Sequence, residues 1–105
     1  MTGRLTLSPY AQLDIDEIWD YSANRWGIDQ AETYVRRLGQ HMTLIARQPN
    51  LGSPCPEIRA GYHRFPCGAH ILFYRVVEGD VEVVRILHSR MDFVRHLRWD
   101  ESRGV

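Results

Sequence analysis

Six residues in the second half of the chain have side chains suited to phosphodiester chemistry: Arg59, Arg64, Arg75, Arg85, His88 and Arg90. Guanidinium groups clamp phosphate oxygens, and an imidazole moves protons near neutral pH; RNA cleavage needs both. The densest cluster is VEVVRILHSRMD, Val81–Asp92, where Arg85, His88, Arg90 and Asp92 follow an apolar run in quick succession. The same side chains would serve equally well as a recognition patch with no chemistry at all. For Arg75 a structural role is favoured: the exact hairpin loop is open, and if Glu78 and Gly79 form a two-residue turn, Arg75 lies opposite Glu82. For Arg85 with His88 both readings stay open: on the structural one, Arg85 is held by an acid or a carbonyl.

Other constellations carry less. Asp14, Asp16, Glu17 and Asp20 have no His beside them and are scattered by helical spacing, so they read as a solvated helix face near its positive end. His41 and His96 have no partner at metal-ligand spacing and are expected at the surface. His63 and His70 flank a strand turn and are placed to meet, but further ligands for zinc are not visible. Cys55 and Cys67 match no zinc or redox spacing and read as free thiols, dispensable for function. No Ser or Cys sits in a nucleophile elbow, and glycine-rich nucleotide loops are absent. No cofactor is expected.

The totals bound the answer further. The 105 residues suit one domain, 1–105, and a chain of this length buries roughly two-thirds of its unfolded surface. With 44% apolar and 25% charged residues the composition is that of a globular protein. Thirteen basic and thirteen acidic residues cancel, so no global charge draws the chain to nucleic acid or membrane. Every basic residue is Arg, which removes Lys from any proposed active site. Met1-Thr2-Gly3-Arg4 leads into a strand with no apolar signal core, and a cytoplasmic location is expected.

The elements that must position these residues follow from periodicity. RLTLS, Arg4–Ser8, reads as a first strand. Ser8-Pro9 is a strong helix start. Ala11, Ile15, Ile18, Trp19, Ser22 and Trp26 then mark one apolar face, with Asp14, Glu17 and Asp20 on the other, until Gly27. Asp29 and Glu32 have the form of a capping box for a second helix, whose apolar face runs from Ala31 to Ile45 and which stops at Pro49. The short link implies an antiparallel helix pair. Asn50–Gly61 is rich in Pro and Gly and predicts an irregular surface segment. Strands are expected at Tyr62–Pro66, His70–Val77 and Val81–His88, and a short helix at Phe93–Trp99. The order β-α-α-β-β-β implies an α+β fold, with the helix hairpin packed on a largely antiparallel sheet. The two-residue turn also places Phe73 beside Val84 and Ile71 beside Ile86. One hairpin face, carrying Leu72, Tyr74, Val76, Val83 and Leu87, is then left without a cover.

Three stretches together give the chain a family likeness: LSPYAQLDIDEIWDYSANRWG, PNLGSPCPEIRAGYHRFPCGAHILFYRV and VEVVRILHSRMD. From about Leu5 to Leu97 it resembles the ParE toxins of the RelE/ParE superfamily, the toxin halves of bacterial toxin–antitoxin modules. The resemblance implies a compact toxin fold and a ParD-type antitoxin of the ribbon-helix-helix class. It also implies inhibition of DNA gyrase by binding, without catalysis or direct sequence-specific contact with nucleic acid. On that reading Arg85, His88, Arg90, Met91 and Asp92 form the target-docking surface, and Leu72, Tyr74, Val76, Val83 and Leu87 receive the antitoxin.

The same superfamily contains ribosome-dependent mRNA endonucleases of the RelE type, which supply the alternative. Those relatives use Lys and Arg with a late Tyr, or a set of Glu, Arg and His. This chain has no Lys, and its last Tyr is Tyr74. The set that would imitate the second kind is Glu57, Arg64, Arg85 and His88.

Overall fold

The computed structural model describes residues 3–90. The expected helix at Phe93–Trp99, and the site residues Met91 and Asp92, lie outside the described residues. Strand β1 (Leu5–Leu7) leads through Ser8 into helix α1 (Pro9–Trp26), and helix α2 (Ile28–Arg47) follows after Gly27 alone. A 3-10 turn at Pro49–Leu51 precedes a two-residue strand β2 (Ser53–Pro54), and β3 (Tyr62–Cys67), β4 (His70–Val77) and β5 (Asp80–His88) are the remaining elements among the described residues. The five strands form one sheet in the order β1-β5-β4-β3-β2, antiparallel except for β1 beside β5. This is the α+β arrangement expected, enlarged by a short strand inside the segment read as irregular.

Local chemistry explains the first helix. The Ser8 hydroxyl accepts from the Ala11 N–H at 3.0 Å, and Pro9 occupies the first helical position, where no N–H is needed. The second helix starts differently from expectation. Gly27, at φ 98°, is at once the end of α1 and the residue before α2, and no side chain caps α2. The link is so short that Asp29 already lies inside the first turn, where its charge still suits the helix dipole.

The hairpin register departs from expectation at one point. Arg75 does lie opposite Glu82, and their side chains pair at 2.6 Å. Beyond them the register slips between Tyr74 and Phe73: Tyr74 faces Val83, whereas Phe73 faces Arg85. Val84 is the extra residue, a β-bulge. Ile71 therefore pairs with Leu87, not Ile86, and everything after Val84 changes face.

That slip redistributes the apolar residues. Leu72, Tyr74, Val83 and Ile86 lie in the main core with Ala11, Ile18 and residues of α2. Leu87 falls on the opposite face with Phe73, where Cys55, Ile58 and Tyr62 cover it. The expected open face of Leu72, Tyr74, Val76, Val83 and Leu87 is thus not one surface. Four of the five are buried in the core, and only Val76 is exposed. Alternation had paired the right neighbours within β4 but could not foresee the bulge or which face the helices cover.

Tyr74 also shows why the Pro- and Gly-rich segment is ordered. Its hydroxyl donates to the Pro49 carbonyl at 2.6 Å and accepts from the Gly52 N–H at 2.9 Å. A Cβ on residue 52 would come within 2.4 Å of that hydroxyl, so only glycine fits so close. Gly52→Ala should lower stability by about 1–3 kcal/mol through overpacking, seen as a reduced urea midpoint at unchanged slope. An unaltered midpoint would mean that the Tyr74 ring can move aside freely.

Candidate functional site

The edge of β5 brings the candidate residues together. Strand β1 covers β5 only from Val81 to Val83. Past that point helix α1 takes over with side chains. The Ser8 hydroxyl donates to the Val84 carbonyl at 2.6 Å, which ties down the bulge. Six residues later Asp14 accepts the Ile86 N–H at 2.8 Å and two N–H groups of the Arg85 guanidinium, at 2.8 and 3.0 Å. Asp14 is only 7% exposed, so its expected place on a solvated face is wrong. A lone carboxylate at that depth would be costly; three donors, one of them a paired cation, make it tenable.

Arg85 is correspondingly withdrawn from the surface it was expected to furnish. Its guanidinium is held by Asp14 and lies over the Tyr10 ring at 5.7 Å. The acid that the structural reading required is therefore Asp14, 71 residues away in sequence. Nothing in local sequence pairs the two; only the fold does.

Beyond Arg85 a groove opens between the two helices and the end of the β4–β5 hairpin, with a volume of about 670 Å³. Tyr21 and Trp26 form part of its α1 wall, Tyr34 and Arg37 its α2 wall, and His70 and His88 its sheet side. His70 and His88 are direct partners across the strands, with ring centroids 5.4 Å apart and planes nearly perpendicular. The expected meeting of His63 and His70 does not occur: His63 stacks on Tyr74 instead. Burial, reinforced by the neighbouring His88, holds the His70 pKa below its usual value, with Asp14 opposing. Trp26, expected in the core, is 60% exposed, with Tyr21 edge-on to it and Arg25 over its ring. His88 and Arg90 are exposed, and the Arg90 N–H donates to His88 Nδ1 at 3.2 Å.

The four residues of the alternative nuclease set are distributed differently. Arg64 and Arg85 flank Phe73 on neighbouring strands, and the Arg85 head is turned to Asp14. Glu57 and Arg64 both act electrostatically on Cys55, on the second cluster's side of the sheet. His88 shares its row with His70 and Cys67. Burial raises the pKa of both thiols, Cys55 and Cys67, which keeps them protonated and unreactive. His41, expected at the surface, is partly buried; its Nδ1 lies 2.8 Å from the Arg37 carbonyl and 3.2 Å from Cys67 Sγ. Among the described residues no three His, Cys, Asp or Glu side chains are grouped to hold a metal ion.

Residues 5–93 match the family described as "ParE toxin of type II toxin-antitoxin system, parDE". The chain belongs to the ParE toxin family. It is 50% identical over 98 residues to Toxin ParE1 of Mycobacterium tuberculosis (strain ATCC 25618 / H37Rv), covering 92% of this chain and all of that protein. Toxin ParE1 of Caulobacter vibrioides is 45% identical over 91 residues, 87% of this chain and 94% of the relative. Among solved structures, a chain of the chromosomal ParDE toxin–antitoxin system from P. aeruginosa superposes with a TM-score of 0.73 at 19% identity, covering 83% of this chain and 96% of that one. A chain of the YoeB-YefM complex from Staphylococcus aureus gives 0.55 at 17% identity, over 84% and 98% of the two chains. Both share the fold. This ParE-family chain is thus the toxin component of a type II module, with the helix pair and five-stranded sheet of the RelE/ParE superfamily.

The Asp14 clamp sets a quantitative expectation for this toxin. Asp14→Ala removes the acceptor of the Ile86 N–H and of two N–H groups of the part-buried Arg85 guanidinium, and should cost about 3–5 kcal/mol of folding stability. Arg85→Ala should cost a similar amount, and the double variant clearly less than the sum, read by denaturant unfolding of all four proteins. Additive losses would mean that the two side chains act independently.

Proposed function

We propose that this ParE-family toxin acts in the cytoplasm by binding DNA gyrase, and that a ParD-type antitoxin of the ribbon-helix-helix class neutralises it. Family membership supports the toxin–antitoxin part, and the names of the relatives support the ParE type. The observation that favours binding over RNA cleavage is the two-point pair of Arg85 with Asp14. It occupies the one cation that the strand itself sets between His88 and the helices, and so removes a donor from any phosphate clamp there. None of the described helices is long and apolar enough to cross a membrane.

On this reading the docking surface consists of the exposed His88 and Arg90, continued by Met91 and Asp92, with Arg85 acting beneath it as support. The antitoxin contact moves from the buried hairpin residues to apolar surface that remains open. Tyr21 and Trp26, which line the groove, are exposed, and Ile28 is exposed beside them where α1 meets α2. Exposed aromatic and aliphatic side chains in such a group mark interfaces more often than they mark bare surface.

Purified toxin should block supercoiling by gyrase and leave ribosome-bound mRNA intact. His88→Ala and Arg90→Ala should each weaken gyrase inhibition by about 1–3 kcal/mol, with toxicity falling in proportion. Cleaved mRNA, together with a His88→Ala variant that binds its target normally but is about 10²–10⁴-fold slower, would establish the nuclease instead. For the antitoxin, a Tyr21→Asp/Trp26→Asp variant should fold normally and bind at least about tenfold more weakly, since truncating central aromatic anchors costs on the order of 2 kcal/mol. Full affinity in that variant would place the contact elsewhere.

A further inference from the structure

We infer that Tyr34, His70 and His88 form an acid-sensitive latch, which holds the first half of α2 against the β3–β4 turn and opens as the medium is acidified. The inference rests on the fold alone and not on the function proposed above.

The latch is a junction at one hydroxyl. The Tyr34 oxygen lies 2.6 Å from His70 Nδ1, accepts the Ala69 N–H at 3.0 Å, and donates to the Cys67 carbonyl at 3.3 Å. A single side chain of α2 thereby satisfies three groups of the turn. The turn is built to receive it: Gly68 is in the left-handed region at φ 60°, and a Cβ there would come within 2.8 Å of the same hydroxyl. His88 adds the third element. It faces His70 across the strand pair, and the Ser89 N–H bonds to the Ala69 carbonyl beside them at 2.9 Å.

The charges around His70 decide how this junction responds to a proton. From α1 come Asp14 and Glu17, from α2 Arg37, from β3 Cys67, the strand partner of His70 whose thiol lies beside His41, and from β5 Arg85 and His88. Asp14 is the acid that favours a charged His70, but the Arg85 guanidinium already occupies both its oxygens. A charge on His70 would be partly buried and would face His88 at 5.4 Å between ring centres. Opening the groove relieves both costs by letting water reach the imidazole.

The sign follows from the direction of the shift. His70 in the closed latch has a pKa below its free value, so the closed form binds fewer protons than the open one. The stabilisation of the closed form is fully present above the free value, near 6.5, and is lost as pH falls through the lower value of the closed form. At one pH unit below 6.5, the closed form can lose up to about tenfold in its equilibrium with the open one.

The test is amide exchange of the full chain at pH 7.5 and 5.5, expressed as protection factors to remove the intrinsic pH dependence of exchange. Protection of the Ala69 amide should fall at pH 5.5, by at most about tenfold. Protection of the Gly52 amide, which bonds to the Tyr74 hydroxyl on another part of the fold, should stay constant. His88→Ala, at an exposed position, should shrink the Ala69 effect, and His70→Gln should remove it. Equal Ala69 protection at both pH values would overturn the latch. So would a fall of the same size in His88→Ala and wild type, or an equal fall at Gly52, which would report global acid unfolding.

Discussion

The fold depends on how one strand edge is closed. Strand β5 is nine residues long, and its parallel neighbour β1 is three. The remaining backbone groups of that edge would be buried against α1 without partners, which a folded protein does not tolerate. Helix α1 closes it with two side chains, Ser8 at the Val84 carbonyl and Asp14 at the Ile86 N–H. Because Asp14 is charged and buried, it in turn requires a cation, and Arg85 is the nearest residue able to supply two donors in a plane. The bulge at Val84 is the geometric counterpart. It sets Arg85 opposite Phe73, while Ile86 keeps its place in the core.

This gives physical content to the stretch SPYAQLD. Ser8 caps the helix and ties the bulge, Pro9 starts the helix, Ala11 is small enough to sit fully buried against the sheet, and Asp14 clamps the strand. Each residue type answers one constraint at that position. The Pro- and Gly-rich stretch has the same character. Pro49 supplies a carbonyl and Gly52 an N–H to one buried tyrosine hydroxyl, and Ile58 covers Phe73 and Leu87 from the far side. Family likeness in such stretches is therefore a statement about how edges and faces are closed. It says less about which target the exposed residues meet.

Much of the architecture could be read from periodicity, because helices and strands with one buried face write that face into the sequence. The Ser8-Pro9 start, the stop before Pro49 and the Arg75–Glu82 pair are local signals, and the structure contains all three. What could not be read was non-local. Asp14 is charged and sits in an acidic run, so it looks solvated until a partner 71 residues distant is known. Trp26 falls on the apolar stripe but lies in the last position of α1, where only its helix neighbours Tyr21 and Arg25 are described against its ring and it stays 60% exposed. Alternation does not say which hairpin face the helices cover, and they cover that of Leu72, Tyr74 and Val83; nor does Val84 mark the bulge, which moves Leu87 to the opposite face.

The same reasoning separates two kinds of residue within the candidate site. Arg85 and Asp14 are structural in the strict sense that each is the other's buried counter-charge, and replacing either disturbs the edge of β5 before it disturbs any surface. His88 and Arg90 lie a few residues further along the same chain, exposed, with only a weak 3.2 Å bond between them. A damaging substitution at Arg85 therefore says little about docking until the variant's stability is known, whereas one at His88 or Arg90 reports on the surface more directly. The clamp also sets the chemical character of the groove. With Asp14 and Arg85 neutralising each other, Glu17 and Arg37, of opposite sign, are the other acid and arginine along its walls. A surface so nearly neutral suits a partner recognised through apolar contact and hydrogen bonding, and offers little to a chain of phosphates.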